Sequence, residues 1–307
     1  MTFPNLVLSI RDTELRVQST GRKMIGSDMY GVSPAYFISR YSDRFTFDEM
    51  ATSLSDLSAS GFGAFQPEVF HADTLDEWRA TGARVVRAAA EGSGLVASQF
   101  VAHFLLHAFA DPAALTSDFG IAEAEKTLEG LEHFPECTTL TVPLPPFEPL
   151  EPQALGVGAC AGYRSRLIEK LGRMLELAEG AGRRIALELI PGSLVGGVQG
   201  LLRIEAELGR PSLGYNFDTG FAWWNREWVP LVPAQLAGRI FGTHLKDNFR
   251  DGQALAPGKG SIPWRETLGA LKASAYTGSL DIEFRCGPDR AHQEYQEALG
   301  YLKQFKD

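Results

Sequence analysis

Four residues in the second half of the chain carry the chemistry. They are Glu188 in IALELI, Asp218 in GYNFDTG, His244 in FGTHLKD and Glu283 in LDIEF. Each stands where an apolar, strand-like run gives way to turn residues. Because side chains alternate along a strand, one polar residue among apolar neighbours is placed to point into a shared interior. A single acid at a strand end is ordinary, since polar residues commonly close strands. Four in succession are not. Three carboxylates and an imidazole brought together would repel one another and raise their own pKa values. A cation resolves that conflict. An oxygen-rich set with one imidazole suits Mn²⁺ or Mg²⁺, with Co²⁺ also admissible, and does not suit a closed structural Zn²⁺ site.

Positioning four strand ends around one point calls for a parallel barrel. Short apolar runs alternate with amphipathic stretches along the chain, the pattern of βαβ units. The expected strands are 24–32, 64–70, 95–103, 138–143, 184–190, 213–218, 240–246 and 280–284. Helices are expected at 50–60, 78–91, 122–132, 163–180, 198–208, 227–237, 264–273 and 288–305. The first two are each preceded by a capping box, Thr46–Glu49 and Thr74–Glu77. Eight strand–helix repeats favour a single-domain (β/α)₈ TIM barrel over residues 24–307, preceded by an N-terminal extension, 1–23; an open doubly wound sheet is the alternative. In this architecture catalytic groups come from the C-terminal strand ends. The Pro-rich stretch Val142–Pro152 is therefore expected to be an active-site loop.

Composition bounds the partners. The 307 residues are 44% hydrophobic and 22% charged, with a net charge of −9. That acidity disfavours nucleic acid or an anionic membrane as partner. Cys137, Cys160 and Cys286 form no disulfide framework and have no metal-ligand spacing. The N-terminal stretch reads as neither signal peptide nor membrane span, and a cytoplasmic location is expected. Gly156-Val-Gly158-Ala-Cys-Ala161 mimics a dinucleotide-binding loop, but no strand precedes it, so no nucleotide cofactor is expected.

The four residues stand 30, 26 and 39 positions apart. Together with the His-x-Lys-Asp run His244–Asp247 and GKGSIPW at Gly258–Trp264, they resemble the xylose-isomerase-like sugar isomerase and epimerase superfamily. Its members include ketose 3-epimerases, inosose isomerases and dehydratases, and endonuclease IV-type enzymes. The resemblance implies that Glu188, Asp218, His244 and Glu283 bind one metal, Mn²⁺ by family habit. It also implies that Glu188 and Glu283 shift protons beside a metal-polarised carbonyl, through an enediolate. Arg250, six residues after His244, matches a substrate-binding arginine. Small carbohydrates or oxo-sugars are the implied substrates, and a homo-oligomer is compatible with the resemblance.

Two positions depart from the epimerase pattern: Phe221 replaces a histidine three residues after the Asp, and Leu194 an acid six residues after the first Glu. Both family groups touch sugar hydroxyls. The sixth loop is instead aromatic, Phe221–Trp228, which offers Trp223 and Trp224 as substrate-binding faces. These changes open a second reading: a carbon–oxygen or carbon–carbon lyase acting on an oxo-sugar, like inosose dehydratases or the α subunits of C-glycoside deglycosidases, the latter with a small partner subunit. His103 is a further candidate acid or base, and Lys246 and Glu68 are candidate substrate contacts, each weighed against solvated or ion-paired rim positions. His71 is a weaker candidate. An endonuclease would need more histidines than the six present, and a non-catalytic barrel would not be expected to keep all four ligands.

Overall fold

A computed structural model describes residues 26, 28–149 and 156–305. The expected N-terminal extension, 1–23, and the distal part of the Pro-rich loop lie outside the described residues. The eight barrel strands are β1 (Tyr30–Val32), β2 (Ala64–Phe65 and Glu68–Val69), β3 (Val96–Ala97 and Phe100–Ala102), β4 (Thr139–Leu144), β5 (Arg184–Leu189), β6 (Leu213–Asp218), β7 (Ile240–His244) and β8 (Leu280–Ile282). Neighbours pair in parallel from β1 through β7. Two further contacts close the ring. β8 pairs with β1, Gly31 opposite Asp281. Between β7 and β8, Leu245 N donates to Asp281 O at 2.8 Å and Glu283 N to Leu245 O at 3.0 Å. The alternative of an open sheet is thereby excluded. β2 is interrupted at Gln66-Pro67, where proline has no N–H to give the ladder.

The helices are α1 (Ala35–Arg40), α2 (Phe47–Ala59), α3 (Leu75–Ser93, with a π-helical turn at Trp78–Gly82), α4 (Pro112–Thr116), α5 (Ile121–Leu131), α6 (Val157–Gly180), α7 (Val198–Leu208), α8 (Thr219–Trp224), α9 (Val232–Gln235), α10 (Trp264–Ala273) and α11 (Ala291–Lys303). The Thr46–Glu49 capping box forms as expected: Glu49 N donates to Thr46 Oγ1 at 3.2 Å and Thr46 N to Glu49 Oε2 at 2.7 Å. The Thr74–Glu77 box does not. A 3₁₀ turn, Ala72–Thr74, runs straight into α3, and the Thr74 hydroxyl donates back to His71 O at 2.9 Å. The helix expected at 227–237 shrinks to a 3₁₀ turn, Val229–Leu231, and the single turn α9, because Pro230 and Pro233 interrupt it. The dinucleotide-like glycine sequence forms the first turns of α6.

Barrel interiors are ordinarily filled with branched apolar residues. Here the strands also contribute a polar layer of Gln66, Ser98, Gln99, Asn216, Thr243 and Asp281, all buried. One oxygen of Asp281 accepts from Ser279 Oγ (2.7 Å), Gln66 Nε2 (2.9 Å) and Ser98 Oγ (3.0 Å). Burial raises the pKa of that carboxyl, while the three donors pull against it. Two glycines make room for the layer. A Cβ on Gly31 would overlap Asp281 Oδ1, and one on Gly242 would overlap Gln99 Oε1. Overpacked cores lose about 1–3 kcal/mol. Gly31→Ala is therefore expected to lower stability by that amount in urea denaturation, and an unchanged midpoint would show that the layer yields.

Candidate active site

Glu188 is the penultimate residue of β5, Asp218 and His244 are the last of β6 and β7, and Glu283 follows β8 directly. Parallel register sets Asp218 beside His244. One ligand-type atom from each of the four lies within 4.8 Å of all the others. Donors around one ion with bonds of about 2.0–2.4 Å stand no more than roughly 4–5 Å apart, so the separation fits a single divalent cation.

Hydrogen bonding points the same way. Asp218 Oδ1 accepts from Phe221 N at 2.8 Å, capping α8, and this aims the other oxygen inward. Among the described residues that oxygen and Glu283 Oε2 have no well-directed hydrogen bond and face only groups that can carry positive charge, Lys246 Nζ and His244 Nδ1, each at 2.6 Å. Gln66 donates through Nε2 to Asp281, so its Oε1, 2.8 Å from His244 Nε2, accepts from the ring. His244 Nδ1 then faces Glu188 Oε1 at 2.5 Å and Glu283 Oε2 at 2.6 Å. A lone pair directed at two carboxylates is tolerable only if Nδ1 is protonated or a cation intervenes. Without an ion, burial opposes protonation of His244, but Glu283 and Glu188 hold its pKa well above the usual value.

Lys246 supplies a second positive charge. Its Nζ lies 2.6 Å from Asp218 Oδ2, 3.6 Å from Glu283 Oε1 and 3.5 Å above the Phe221 ring. Thr219 Oγ1 fixes its backbone, donating to Lys246 O at 2.7 Å and accepting from Lys246 N at 3.1 Å. Burial pushes Asp218 up to about 8 against the pull of Lys246. Burial likewise opposes ionisation of Glu283, yet His244 and Lys246 outweigh it and hold Glu283 down at about 2. With an ammonium in direct contact, we assign Lys246 and Asp218 as a charged pair.

A 220 Å³ cavity lies over the cluster, lined by Glu188, His244, Lys246 and Glu283 together with Glu68, His103, Phe221 and Arg285. Glu68 is 2% exposed, and its Oε2 has no hydrogen-bond partner among the described residues. Burial and then the Glu283 charge keep its pKa well above the carboxylate range. His103 stacks on Phe70, with ring centroids 3.9 Å apart, and burial lowers its pKa to about 4.

Other expected contacts lie elsewhere. Arg250, Trp223 and Trp224 do not line the cavity. Trp223 donates its Nε1 proton to Ser261 Oγ at 3.0 Å, and the Arg250 guanidinium covers its ring at 3.6 Å. Trp224 is 37% exposed and packs beside Gly252. Trp223 follows Phe221 by two residues, about 200° around the helix, which turns it from the cavity. His71 lies outside it too, its Nε2 3.5 Å from Asp43. Sequence reasoning missed Arg285 and Gln66. Arg285 follows Glu283 by two residues, the spacing that shares a face where a chain runs extended, and Gln66 is a polar residue inside an apolar run; both signals were present.

The sequence matches the xylose isomerase-like TIM barrel family over residues 54–305. The chain belongs to this family. No curated protein matches the sequence. Among solved structures, the family fold is shared with the apo form of 3-keto-D-glucoside 4-epimerase from E. coli, at TM-score 0.70 and 16% identity, covering 92% of this chain and 100% of that one. D-psicose 3-epimerase from Clostridium cellulolyticum H10, solved with D-tagatose, gives TM-score 0.71 and 16% identity, covering 90% and 99%. The IolI protein, solved with a zinc atom, gives 0.68 and 16%, again covering 90% and 99%.

The depressed His103 pKa has a consequence for stability. The folded protein keeps His103 neutral down to about pH 4, whereas an unfolded histidine takes up its proton near 6.5. Stability is therefore lost as pH falls from 6.5 toward 4, by about 2 kcal/mol at pH 5. Metal-free His103→Gln should show a correspondingly smaller loss of stability between pH 7 and pH 5 in urea denaturation. Equal losses in both proteins would place the ring in an ordinary, solvated state.

Proposed function

We propose that this barrel is a divalent-metal-dependent isomerase or epimerase of sugars or keto-sugars. One observation carries the reading: four metal-type donors from four successive strand ends, three of them buried, lie within 4.8 Å of one another, and Glu188, His244 and Glu283 of the four line a cavity that also presents Glu68, His103 and Lys246. Two neighbours sharing the fold bear the names of sugar epimerases, acting on a 3-keto-D-glucoside and on D-psicose.

Glu188, Asp218, His244 and Glu283 would hold the ion, and the oxygen-rich set with one imidazole suits Mn²⁺, Mg²⁺ or Co²⁺. Bound there, the ion supplies Lewis acidity toward a substrate carbonyl or hydroxyl oxygen. The chain's own groups do the rest. One of Glu188 and Glu283 takes the proton from the carbon beside the carbonyl. The C–H electron pair becomes the carbon–carbon double bond of an enediolate, and the carbonyl electrons move onto oxygen. The other carboxyl, after taking a proton from solvent, returns it to the opposite face of the same carbon for epimerisation; for isomerisation the proton goes to the former carbonyl carbon, while the neighbouring hydroxyl gives its proton to the first oxygen and becomes the new carbonyl. Glu68, kept neutral, donates a hydrogen bond to a substrate hydroxyl, and Lys246 directs a remaining N–H bond to the developing oxyanion. His103, uncharged at neutral pH, can accept a hydrogen bond from substrate or donate one.

Phe221 on the cavity wall favours a second reading. An apolar ring offers a sugar hydroxyl no hydrogen bond, and buried hydroxyls left without partners cost about 1–3 kcal/mol each. An oxo-sugar lyase begins with the same proton removal but expels a group from the β carbon. Product analysis separates the two: an isomer keeps the substrate's formula, and a lyase product does not.

Two variants test the site. Glu283→Gln ligates through oxygen but cannot move a proton. It should bind Mn²⁺ within about tenfold of the parent yet exchange substrate hydrogen in D₂O at least about a hundredfold more slowly. Near-normal exchange would leave Glu283 as a ligand only. Gln66→Leu frees His244 Nε2, and titration calorimetry should find Mn²⁺ binding weakened by about 10–100-fold. Unaltered affinity would show that His244 is oriented without Gln66.

A further inference from the structure

Beside the acid cluster lies a second, larger cavity of 440 Å³, and Ala254, Phe284 and Arg285 line both. Its walls are residues 254–259, which run into the GKGSIPW loop, and α11 with the preceding Arg290, and hydrogen bonds tie both walls down. Asp247, 1% exposed, pins the loop by accepting from Gly258 N and Trp264 Nε1 at 2.9 Å and from Ile262 N at 3.0 Å. Phe284 stacks on Tyr295 of α11, with centroids 4.3 Å apart, and Tyr295 Oη donates to Phe284 O at 2.8 Å. Leu255, Pro257 and Tyr301 give the cavity an apolar side. At its rim Arg290 pairs with Glu294 at 2.9 Å, and Gln293 donates to Glu297 at 2.8 Å. The side chains of Arg285 and Lys259 have no hydrogen-bond or ion-pair partner among the described residues.

We propose that this cavity is a second carbohydrate subsite, receiving a sugar unit glycosidically joined to the one whose carbonyl meets the acid cluster. The substrate is then an oxo-disaccharide or larger glycoside, and the inference rests on the proposed sugar chemistry of the first cavity. The lining decides the class. Free cationic donors, a carboxylate acceptor and an amide over an apolar wall match a polyhydroxylated ring with its apolar face. Glu297 and Glu294 partly offset the cations Arg285, Lys259 and Arg290, as suits a neutral polyol, and a ketose phosphate is the competing ligand that the test includes. Size agrees. The acid cavity alone, at 220 Å³, falls below the roughly 300–1,000 Å³ in which drug-sized ligands are enclosed, and the two cavities together reach that range.

The test uses Mn²⁺-loaded protein and Glu297→Trp, which fills the subsite from an exposed position of α11; Gln293→Trp replaces it if that variant does not fold. The parent should turn over a 3-oxo-disaccharide with kcat/KM at least tenfold above that for the 3-oxo-monosaccharide. The variant should lose this preference while its monosaccharide kcat/KM stays within twofold. Equal kcat/KM for the two substrates in the parent, equal losses on both in the variant, or stronger preference for a ketose phosphate would each overturn the proposal. If neither oxo-sugar reacts, the sugar chemistry itself fails, and maltose serves as an unreactive probe. Saturation-transfer NMR contacts to both its rings in the parent, reduced to one in the variant, support the subsite; contacts to one ring or none in the parent overturn it.

Discussion

Like charge crowded into a buried space is the constraint around which this barrel is arranged. Two unit charges 4.8 Å apart, the span of the cluster, repel by about 3–4 kcal/mol at an effective dielectric constant of 20. Three ionised carboxylates at such distances would together approach the whole stability of a typical domain, about 5–15 kcal/mol. Positive charge must therefore be present wherever the strands bring these residues together. Lys246 and a protonated His244 provide it in the metal-free protein, and a divalent ion in the same place would relieve both.

The cluster depends in turn on the polar layer beneath it. His244 is oriented by Gln66, Gln66 is held by Asp281, and Asp281 is held by Ser98 and Ser279. This chain of buried hydrogen bonds reaches from the mouth of the barrel into its interior. Its space comes from Gly31 and Gly242, which bear no side chain where Asp281 and Gln99 stand. Glycines in two strands and an acid in a third are thus parts of one arrangement.

The rim is assembled from a different set of contacts. Asp247 gathers the loop after β7 with backbone and indole donors. Trp223, Arg250 and Ser261 close on one another outside the cavity over the acid cluster. An aromatic-rich loop that read as a binding surface is, for Trp223, packing that holds the sixth and seventh loops together. Phe221 lines the cavity, whereas the two expected rings, Trp223 and Trp224, do not.

By itself the sequence determined the barrel and its four acid-and-histidine strand ends. Alternation of apolar runs with amphipathic stretches is a local signal, and β6, α7 and α10 begin and end at the expected residues. A polar residue ending an apolar run is local too, so Glu188, Asp218, His244 and Glu283 could be read one strand at a time. Helix starts were less legible: the Thr46 box formed and the Thr74 box did not, because a preceding turn set the backbone at Thr74. What only the tertiary structure decided was which side chains meet. Pairing of Lys246 with Asp218, of Gln66 with His244, and the placement of Arg285 between two cavities join residues from distant strands and loops. Such contacts follow from barrel closure and side-chain packing, which no local pattern encodes.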